Sequence, residues 1–380
     1  MIIRRFKADN FRNIEKCDIS FAPGVNLLHG KNAQGKTNAV EGIYFFSRGK
    51  SHRAKDDKEL TKFGEEGFRI FIEYEDKNGI NNLEFASFGK EKLRKKNGYK
   101  ISCAREMIGN FRSVLFYPDN LILVKEGPEE RRSFLNVAIS QIESSYVKIY
   151  QGYKNALDNR NALIKFINKG MYVDRRELDS WSLVMAEYAA LIYAERVKYI
   201  EKLEIHSKRI IKDLSCGKEE LSLIYKSDIE NDVTEEEIKK ESIKEKYIQI
   251  LTRNIEKEIA AGTTLYGPHR DDMEIYLNGI SARSYSSQGQ QRSVVLSLKL
   301  GEGEVIRESI GEYPVFLFDD VLSELDESRR KYVLEGAFKK KGSEKDNMQI
   351  IITSCEEDEI LNHTERIIEV TGGEYVPSHR

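Results

Sequence analysis

Leu135, Ile139, Ile142, Tyr146, Ile149, Tyr153, Ala156, Leu163 and Ile167 fall at alternating spacings of four and three residues, with Arg160 in the one seam position that is not apolar. Such spacing keeps one stripe facing a partner, so it predicts a long helix with a heptad seam. Asn168-Lys169-Gly170 supplies a stop signal, and Trp181, Met185, Tyr188, Ile192 and Tyr199 begin a second apolar series that predicts an antiparallel partner helix. A helix of roughly 35 residues spans about 50 Å, the length of a short protruding arm. Ordinary helices packed in a globular bundle satisfy the same periodicity. Helix breakers are scarce throughout this region: no proline lies between Pro128 and Pro268, and the interval holds only Gly152, Gly170, Gly217, Gly262 and Gly267 of the 26 glycines. It therefore reads as a helical block. From Asp228 to Lys246 charges dominate, with Glu235-Glu236-Glu237 ahead of Lys239-Lys240, which predicts a solvated helix or linker. On either side the texture is β. Phe68 to Tyr74 alternates in part, and Asn78-Gly79, Asn97-Gly98 and Asn278-Gly279 stand near strand-like runs, so a hairpin is expected at each.

A chain of 380 residues is long enough for two or three domains. Its 61 Lys+Arg nearly cancel its 63 Asp+Glu, leaving a formal net charge of -2. Coating nucleic acid by bulk positive charge is thereby excluded, because that mode needs a strong basic excess to displace counterions. Any nucleic-acid contact must be local. The longest wholly apolar run, Tyr188 to Ala194, is far short of the ~18 residues that a membrane span needs. The first residues lack the apolar core of a secretory leader, and Cys17, Cys103, Cys216 and Cys355 are dispersed without a CxxC pair. A cytoplasmic protein without membrane, disulfide framework or zinc site is expected.

Candidate chemistry is concentrated outside the helical block. Gly30-Lys31-Asn32-Ala33-Gln34-Gly35-Lys36-Thr37 fits GxxxxGK[ST], between the apolar run Val25 to Leu28 and a helix-like segment that opens at Asn38. Glycines there let successive backbone N–H groups turn inward around a phosphate, Lys36 would neutralise β/γ charge, and Thr37 would hold Mg²⁺. An ATPase also needs a buried strand that ends in carboxylate, and Tyr313-Pro314-Val315-Phe316-Leu317-Phe318-Asp319-Asp320 reads as one. Asp319 would bind Mg²⁺ and Asp320 would polarise the attacking water. Between these motifs stands Ser286-Ser287-Gln288-Gly289-Gln290-Gln291-Arg292, and Ser323-Glu324-Leu325-Asp326 follows the carboxylate strand.

Ser287 to Gln290 resembles the signature of ATP-binding-cassette (ABC) ATPases, and the order of P-loop, signature, carboxylate strand and D-loop is theirs. About 280 residues separate Lys36 from Asp319, more than one nucleotide domain of ordinary size requires. The helical block is therefore expected to be an insertion. The split plan resembles the heads of structural-maintenance-of-chromosomes (SMC) proteins, whose far longer coiled coils this chain has no room for. The chain resembles most closely the RecF family of recombination mediators and gap-repair ATPases. Asn10-Phe11-Arg12-Asn13, Lys50-Ser51-His52-Arg53, Pro118-Asp119, Gly127-Pro128-Glu129-Glu130-Arg131-Arg132, Arg160-Asn161-Ala162-Leu163 and Gly267-Pro268-His269-Arg270-Asp271-Asp272 carry that likeness over nearly the whole chain.

The resemblance implies an α/β fold: an ABC-type P-loop head from 1–125 and 260–380 with an antiparallel β subdomain near 65–105, and an inserted helical domain over 126–259 carrying a short coiled-coil-like arm. It implies an ATP-dependent homodimer in which Ser287, Gly289 and Gln290 of one subunit cap the ATP held by Gly30, Asn32, Gln34, Gly35, Lys36, Thr37 and Asn38 of the other. Asp326 would lie near the seam, and Arg12 would reach a phosphate. No His follows Ile350-Ile351-Ile352, where Thr353-Ser354 stands, so Thr353 is the substitute expected to sense the terminal phosphate. DNA is expected in the dimer cleft without base reading, as duplex or at a single/double-strand junction, contacted by Lys50, His52 and Arg53 and by the hairpin cations Lys92, Arg94, Lys95 and Lys96, with Lys90 and Lys100 beside them and only Glu91 opposing. Arg131 and Arg132 are further candidates, their rival explanation being ion pairs with Glu129 or Glu130. RecR, RecO and RecA are the partners the family implies. Two rivals are a P-loop kinase acting on a small molecule as a monomer, and a related head with nuclease function, for which the chain has no spare acidic domain.

Overall fold

The computed structural model describes residues 1–229, 240–336, 348–355 and 361–378. The charged segment Glu235 to Glu237 with Lys239 lies outside them. The chain divides into two compact units, one of Met1–Ile122, His206–Glu220 and Ser286–Arg380, the other of Leu123–Ile205 and Leu221–Tyr285.

The first unit is built on two six-stranded sheets. One runs in the order Glu374–Ser378, Arg366–Thr371, Val25–His29, Ile350–Ser354, Val315–Asp319, Ser113–Phe116. All its neighbours pair in parallel except the first two strands. Val315–Asp319, Ile350–Ser354 and Ser113–Phe116 are buried at every position, which accounts for their unbroken apolar runs. The other sheet is antiparallel, ordered Ile14–Ser20, Ile2–Phe11, Gly67–Asp76, Gly79–Phe88, Glu91–Lys96, Tyr99–Lys100. Its inner side chains, including Phe6, Phe11, Phe68 and Phe85, share one core with Leu28, Leu317 and Ile351 of the parallel sheet and with Val40, Ile43 and Phe46 of the helix Lys36–Arg48. Gly42 is what lets this helix approach so closely, since a Cβ there would stand 2.6 Å from Phe6 Cζ. At Asn97-Gly98 both turn residues have positive φ, as a two-residue type I′ hairpin requires.

The second unit holds the helices Pro128–Ile142, Ser144–Asn168 and the first part of Arg175–Leu214. The single helix of roughly 35 residues expected from the seam is two helices of 15 and 25 residues. The break falls at Glu143, whose backbone is extended and whose carboxylate accepts from Ser145 N; a local cap of this kind competes with helix continuation. The seam also has a third partner. Ile255 packs with Leu163, Ile164, Leu178 and Trp181, and Asn168 Nδ2 donates to Ile259 O at 2.8 Å. Periodicity reports only that a stripe is covered, not by what.

Residues 260–285 group with the second unit and His206–Glu220 with the first; Asp272–Leu277 pairs antiparallel with Leu221–Lys226 and forms a hairpin with Ile280–Ser281. A small sheet thus stands within the helical block. The anomalous seam residue Arg160 is fully buried and donates to Glu258, Thr264 and Ser182 at 2.6, 2.7 and 2.9 Å, with Glu258 equally buried. Breaking such a pair leaves an uncompensated charge in the interior. Arg160→Leu is expected to lower the unfolding free energy by about 3–5 kcal/mol. In a denaturant titration, Arg160→Leu with Glu258→Leu should recover much of that loss.

Candidate nucleotide site

The strand Val25–His29 runs between Ile350–Ser354 and Arg366–Thr371 and delivers the chain to the P-loop at the carboxyl end of the parallel sheet, where ligands of such sheets bind. Gly30 and Gly35 have φ of 157° and 112°. Gly35 is the left-handed residue from which Lys36–Arg48 starts, and a Cβ at Gly30 would stand 2.2 Å from Val370 O. The first helical residues therefore present free N–H groups and the positive end of the helix dipole to the space above the loop. Lys36 is 3% exposed. Its ammonium donates to Gly30 O at 2.5 Å, Lys31 O at 3.1 Å and Cys355 Sγ at 3.1 Å, and the Cys355 thiol in turn donates to Asn32 Oδ1 at 2.8 Å.

The loop is braced from outside by residues that the motif does not include. Gly372 N donates to Gln34 Oε1, and Gly373 N to Gln34 O. Tyr375 OH donates to Gly35 O at 2.8 Å. Asn38 Nδ2 donates to Asn13 Oδ1 at 2.7 Å. Gln34 and Asn38 thus face the protein in this geometry.

The carboxylate strand lies one strand away from the P-loop strand, with Ile350–Ser354 between them. Thr37 Oγ1 donates to Asp319 Oδ1 at 2.9 Å, and Thr353, paired in register with Asp319, donates to the same oxygen at 2.9 Å. Burial pushes the Asp319 carboxyl above its ordinary value, against the pull of these two hydroxyls. A hydroxyl and a carboxylate on one spot are the hard oxygen donors that Mg²⁺ takes; the residues fit that ion, and its binding would weaken as falling pH protonates Asp319. Asp320 follows with φ of 53°, left-handed for a residue with a side chain. Its N–H donates to Thr353 Oγ1 at 2.9 Å, so Thr353 ties both carboxylate residues together.

The signature segment forms a separate cluster. Ser287 caps the helix Gln288–Ile310 in a reciprocal box, its Oγ accepting from Gln290 N while Gln290 Oε1 accepts from Ser287 N at 2.9 Å. The capping box answers to the spacing of the residues themselves. Asp326 caps the short helix Glu327–Lys331. Arg329 closes the cluster through an ion pair with Asp326 and a 2.8 Å bond to Ser293 Oγ, which itself donates to Gly289 O. Among the described residues no hydrogen bond joins Ser287, Gln290 or Asp326 to the P-loop.

The basic candidates divide. Lys50 is exposed. The His52 ring packs against Tyr44 and Tyr117, and burial pushes it down to about 4. Arg53 turns to the helix Lys36–Arg48, its Nη1 3.4 Å from Asn38 Oδ1 and 3.5 Å from Glu41 Oε2. The hairpin has more opposition than Glu91. Lys92 pairs with Asp57 at 2.5 Å, Lys95 and Arg69 share Glu84, Lys96 donates to Asn110, and Arg94 lies over the Phe85 ring. Arg131 is a buried structural residue, its bidentate partner being Asp272 rather than Glu129 or Glu130, and Arg132 donates to Asp271 O. Arg12 is held bidentate by Glu41 at 3.0 and 2.7 Å. Glu41, wholly buried on the P-loop helix, is the member of this site that sequence reading passed over, because a Glu one turn into a helix looks like surface.

Residues 2–376 match the family model of the RecF/RecN/SMC N-terminal domain. The chain is similar to the DNA replication and repair protein RecF of Thermoanaerobacter sp. (strain X514), 40% identical over 337 residues, which is 88% of this chain and 91% of that protein. It is similar to the RecF of Clostridium perfringens (strain 13 / Type A) at 37% over 378 residues, 98% of this chain and 99% of that one. Among solved structures it is similar to the recombination mediator protein RecF with ATP in the RecFOR pathway, with a TM-score of 0.89 and 35% identity, covering 99% of this chain and 97% of that chain. The Smc head domain of Pyrococcus furiosus shares the fold at a TM-score of 0.57 and 18% identity, covering 99% of this chain and 95% of that chain.

Proposed function

The chain belongs to the RecF family, within the wider RecF/RecN/SMC group, and on that premise we propose that it is an ATP-driven DNA clamp of recombinational repair and replication. ATP would lie on the P-loop with Lys36 on its β/γ-phosphates. Thr37 and Asp319 would hold Mg²⁺, which supplies charge neutralisation along the phosphates. Asp320, placed beside Thr353 at the rim of the strand end, would orient and deprotonate the attacking water.

The observation that carries this reading is the separation of the two clusters within one chain. Ser287, Gly289 and Gln290 stand with Asp326 and Arg329, closed among themselves and away from the P-loop's hydrogen bonds. A signature that completes no site at home is suited to cap a nucleotide on a second copy. Two such contacts related by a twofold axis make a closed dimer with two ATP at its seam. Binding to the dimer alone shifts the monomer–dimer balance by mass action, and hydrolysis removes the shared phosphate contacts and opens the clamp.

DNA would be gripped without base reading and with strong salt dependence, as duplex or at a junction, by Lys50 and by the exposed ends of the hairpin, Lys90 and Lys100, with Lys92, Arg94, Lys95 and Lys96 adding field from behind their own partners. Turnover would be slow and stimulated by DNA. The family relation supports RecR, RecO and RecA as partners and a cytoplasmic site of action; no helix among the described residues is long and apolar enough to cross a membrane.

The test is light scattering and DNA anisotropy with and without ATP. The native chain should be monomeric alone and dimeric with ATP, binding duplex DNA tightly only as the dimer. Ser287→Arg places a long cation at the seam while leaving the P-loop untouched; it should still bind ATP but stay monomeric and lose the ATP-dependent gain in DNA affinity. A Ser287→Arg chain that dimerises with ATP as the native one does would sink the capping arrangement.

A further inference from the structure

The antiparallel sheet packs one face on the core and leaves the other open. Along Gly67–Asp76 alternation buries Phe68, Ile70, Ile72 and Tyr74 and turns Arg69, Phe71 and Glu73 outward, so Phe71 is an aromatic where the period calls for a polar residue. Register sets its neighbours. Asp18, Lys7, Phe71, Glu84, Lys95 and Lys100 stand side by side across all six strands, a row of about 24 Å at ordinary strand spacing. Lys16, Asp9 and Arg69 lie in the next row. Phe71 stands in a hollow of about 400 Å³ with Lys7, Asp9, Lys16, Asp18 and Arg69 around it, room enough for a planar ring system. The charges there do not balance. Asp18 serves both Arg5 at 2.5 Å and Lys7 at 3.4 Å, and Glu84 serves both Arg69 at 3.1 Å and Lys95 at 3.6 Å. Each of these carboxylates meets two cations and leaves a positive surplus, and Lys100 adds an exposed charge at the sheet edge. Ion pairs on a half-exposed surface are weak, so these cations can turn to another anion at little cost.

We propose that this open face binds single-stranded DNA, with an unpaired base stacked on Phe71 and the flanking phosphates on Lys7, Arg69, Lys95 and Lys100. It extends the DNA reading above to a form of DNA that the sheet selects. The face is complete within one chain, so it needs neither ATP nor the dimer. A ring at the centre of a sheet with cations on either side suits a single strand: the π-face accepts any base, and the cations follow the backbone. A duplex keeps its base faces inside the stack and offers none to Phe71. Asp9, Asp18 and Glu84, interleaved among the cations, also oppose the second row of phosphates that a duplex brings.

Fluorescence anisotropy of a labelled oligothymidylate and of a blunt duplex, without nucleotide and with ATP, would be measured for the native chain, Phe71→Leu, Phe71→Tyr, and Lys7→Ala combined with Arg69→Ala. Leu keeps apolar volume on the face but has no ring. Phe71→Leu should weaken oligothymidylate binding about tenfold while Phe71→Tyr stays within about twofold of native. Lys7→Ala with Arg69→Ala should flatten the salt dependence, lowering the slope of log K against log salt by about 1.4 for two lost phosphate contacts. Every variant should keep the native ATP affinity and the native ATP-dependent gain on duplex, which separates loss of stacking from loss of fold. Native oligothymidylate binding by Phe71→Leu overturns the site even where the double variant weakens it, since charge alone then accounts for the binding. Displacement of the oligothymidylate by polyglutamate as readily as by unlabelled strand also overturns it, being the behaviour of a docking face for an acidic protein. If the native chain holds duplex with ATP and ignores oligothymidylate, this inference falls and the clamp stands. If it binds oligothymidylate through Phe71 and never dimerises with ATP, the clamp falls and this inference stands.

Discussion

Replacing Lys36 with Met is expected to raise the dissociation constant for ATP by about 10²-fold and to abolish ATP-dependent dimerisation. The ammonium is 3% exposed and aimed over the loop by the carbonyls of Gly30 and Lys31, so its side chain is ordered before any phosphate arrives and its charge acts in a site from which water is largely excluded. Charge-assisted bonds of this kind contribute about 1.5–3 kcal/mol each, and a lysine between two phosphates makes more than one. Met matches the length and the apolar stem but offers no donor. Equilibrium dialysis with labelled ATP reads the effect, and light scattering reads its consequence for assembly. A Lys36→Met chain with native ATP affinity would remove the P-loop from the mechanism.

The second large effect is expected at Asp320. Asp320→Asn should lower turnover by about 10²–10⁴-fold, the range that a positioned general base contributes, while leaving ATP binding within a few-fold and lengthening the life of the ATP-bound dimer on DNA. The reason lies in what the residue touches. Its backbone N–H is held by Thr353 Oγ1, its left-handed φ of 53° is one that Asn adopts as readily as Asp, and its side chain stands at the rim while Asp319 faces Thr37. Asn therefore preserves the fold locally and removes only the basic oxygen. Asp319→Asn should behave differently, since it removes a Mg²⁺ ligand and weakens binding as well as turnover. If Asp320→Asn turns over ATP at the native rate, the base lies elsewhere.

The surroundings of these two positions were legible in the sequence because they are local. A P-loop needs glycine where φ is positive and a lysine at the helix start, all within eight consecutive residues; a central parallel strand writes itself as an unbroken apolar run, as Val315–Asp319 does. The hairpins at Asn97-Gly98 and Asn278-Gly279 are legible for the same reason, since both residues of each turn carry the left-handed conformation; at Asn78-Gly79 only the glycine does, and it pairs with Asp76. The heptad seam was legible as a stripe, and its burial extends even to Arg160. Its interruption at Glu143 was not, because a capping contact with Ser145 outweighs a periodicity that runs straight through it.

Charge was the least legible property. Along the chain Arg12 and Arg53 look like unopposed cations, Lys92 and Lys95 face only Glu91, and Arg131 has Glu129 and Glu130 as its nearest rivals. Their partners Asp57, Glu84, Asp272 and Glu41 stand 11 to 141 residues away, set by strand register and by helix docking. Lys95 meets Glu84 because Glu91–Lys96 pairs antiparallel with Gly79–Phe88, and a shift of one residue would put them on opposite faces. The same holds for residues 260–285, which strand pairing with Leu221–Lys226 ties to the second unit. By itself, then, the sequence determined which chemistry the chain carries, because phosphate loops, caps and buried strands are made of near neighbours. Only the tertiary structure decided which charges remain available for that chemistry, because an ion pair depends on distance in space, and the register and packing that set it are properties of the whole fold.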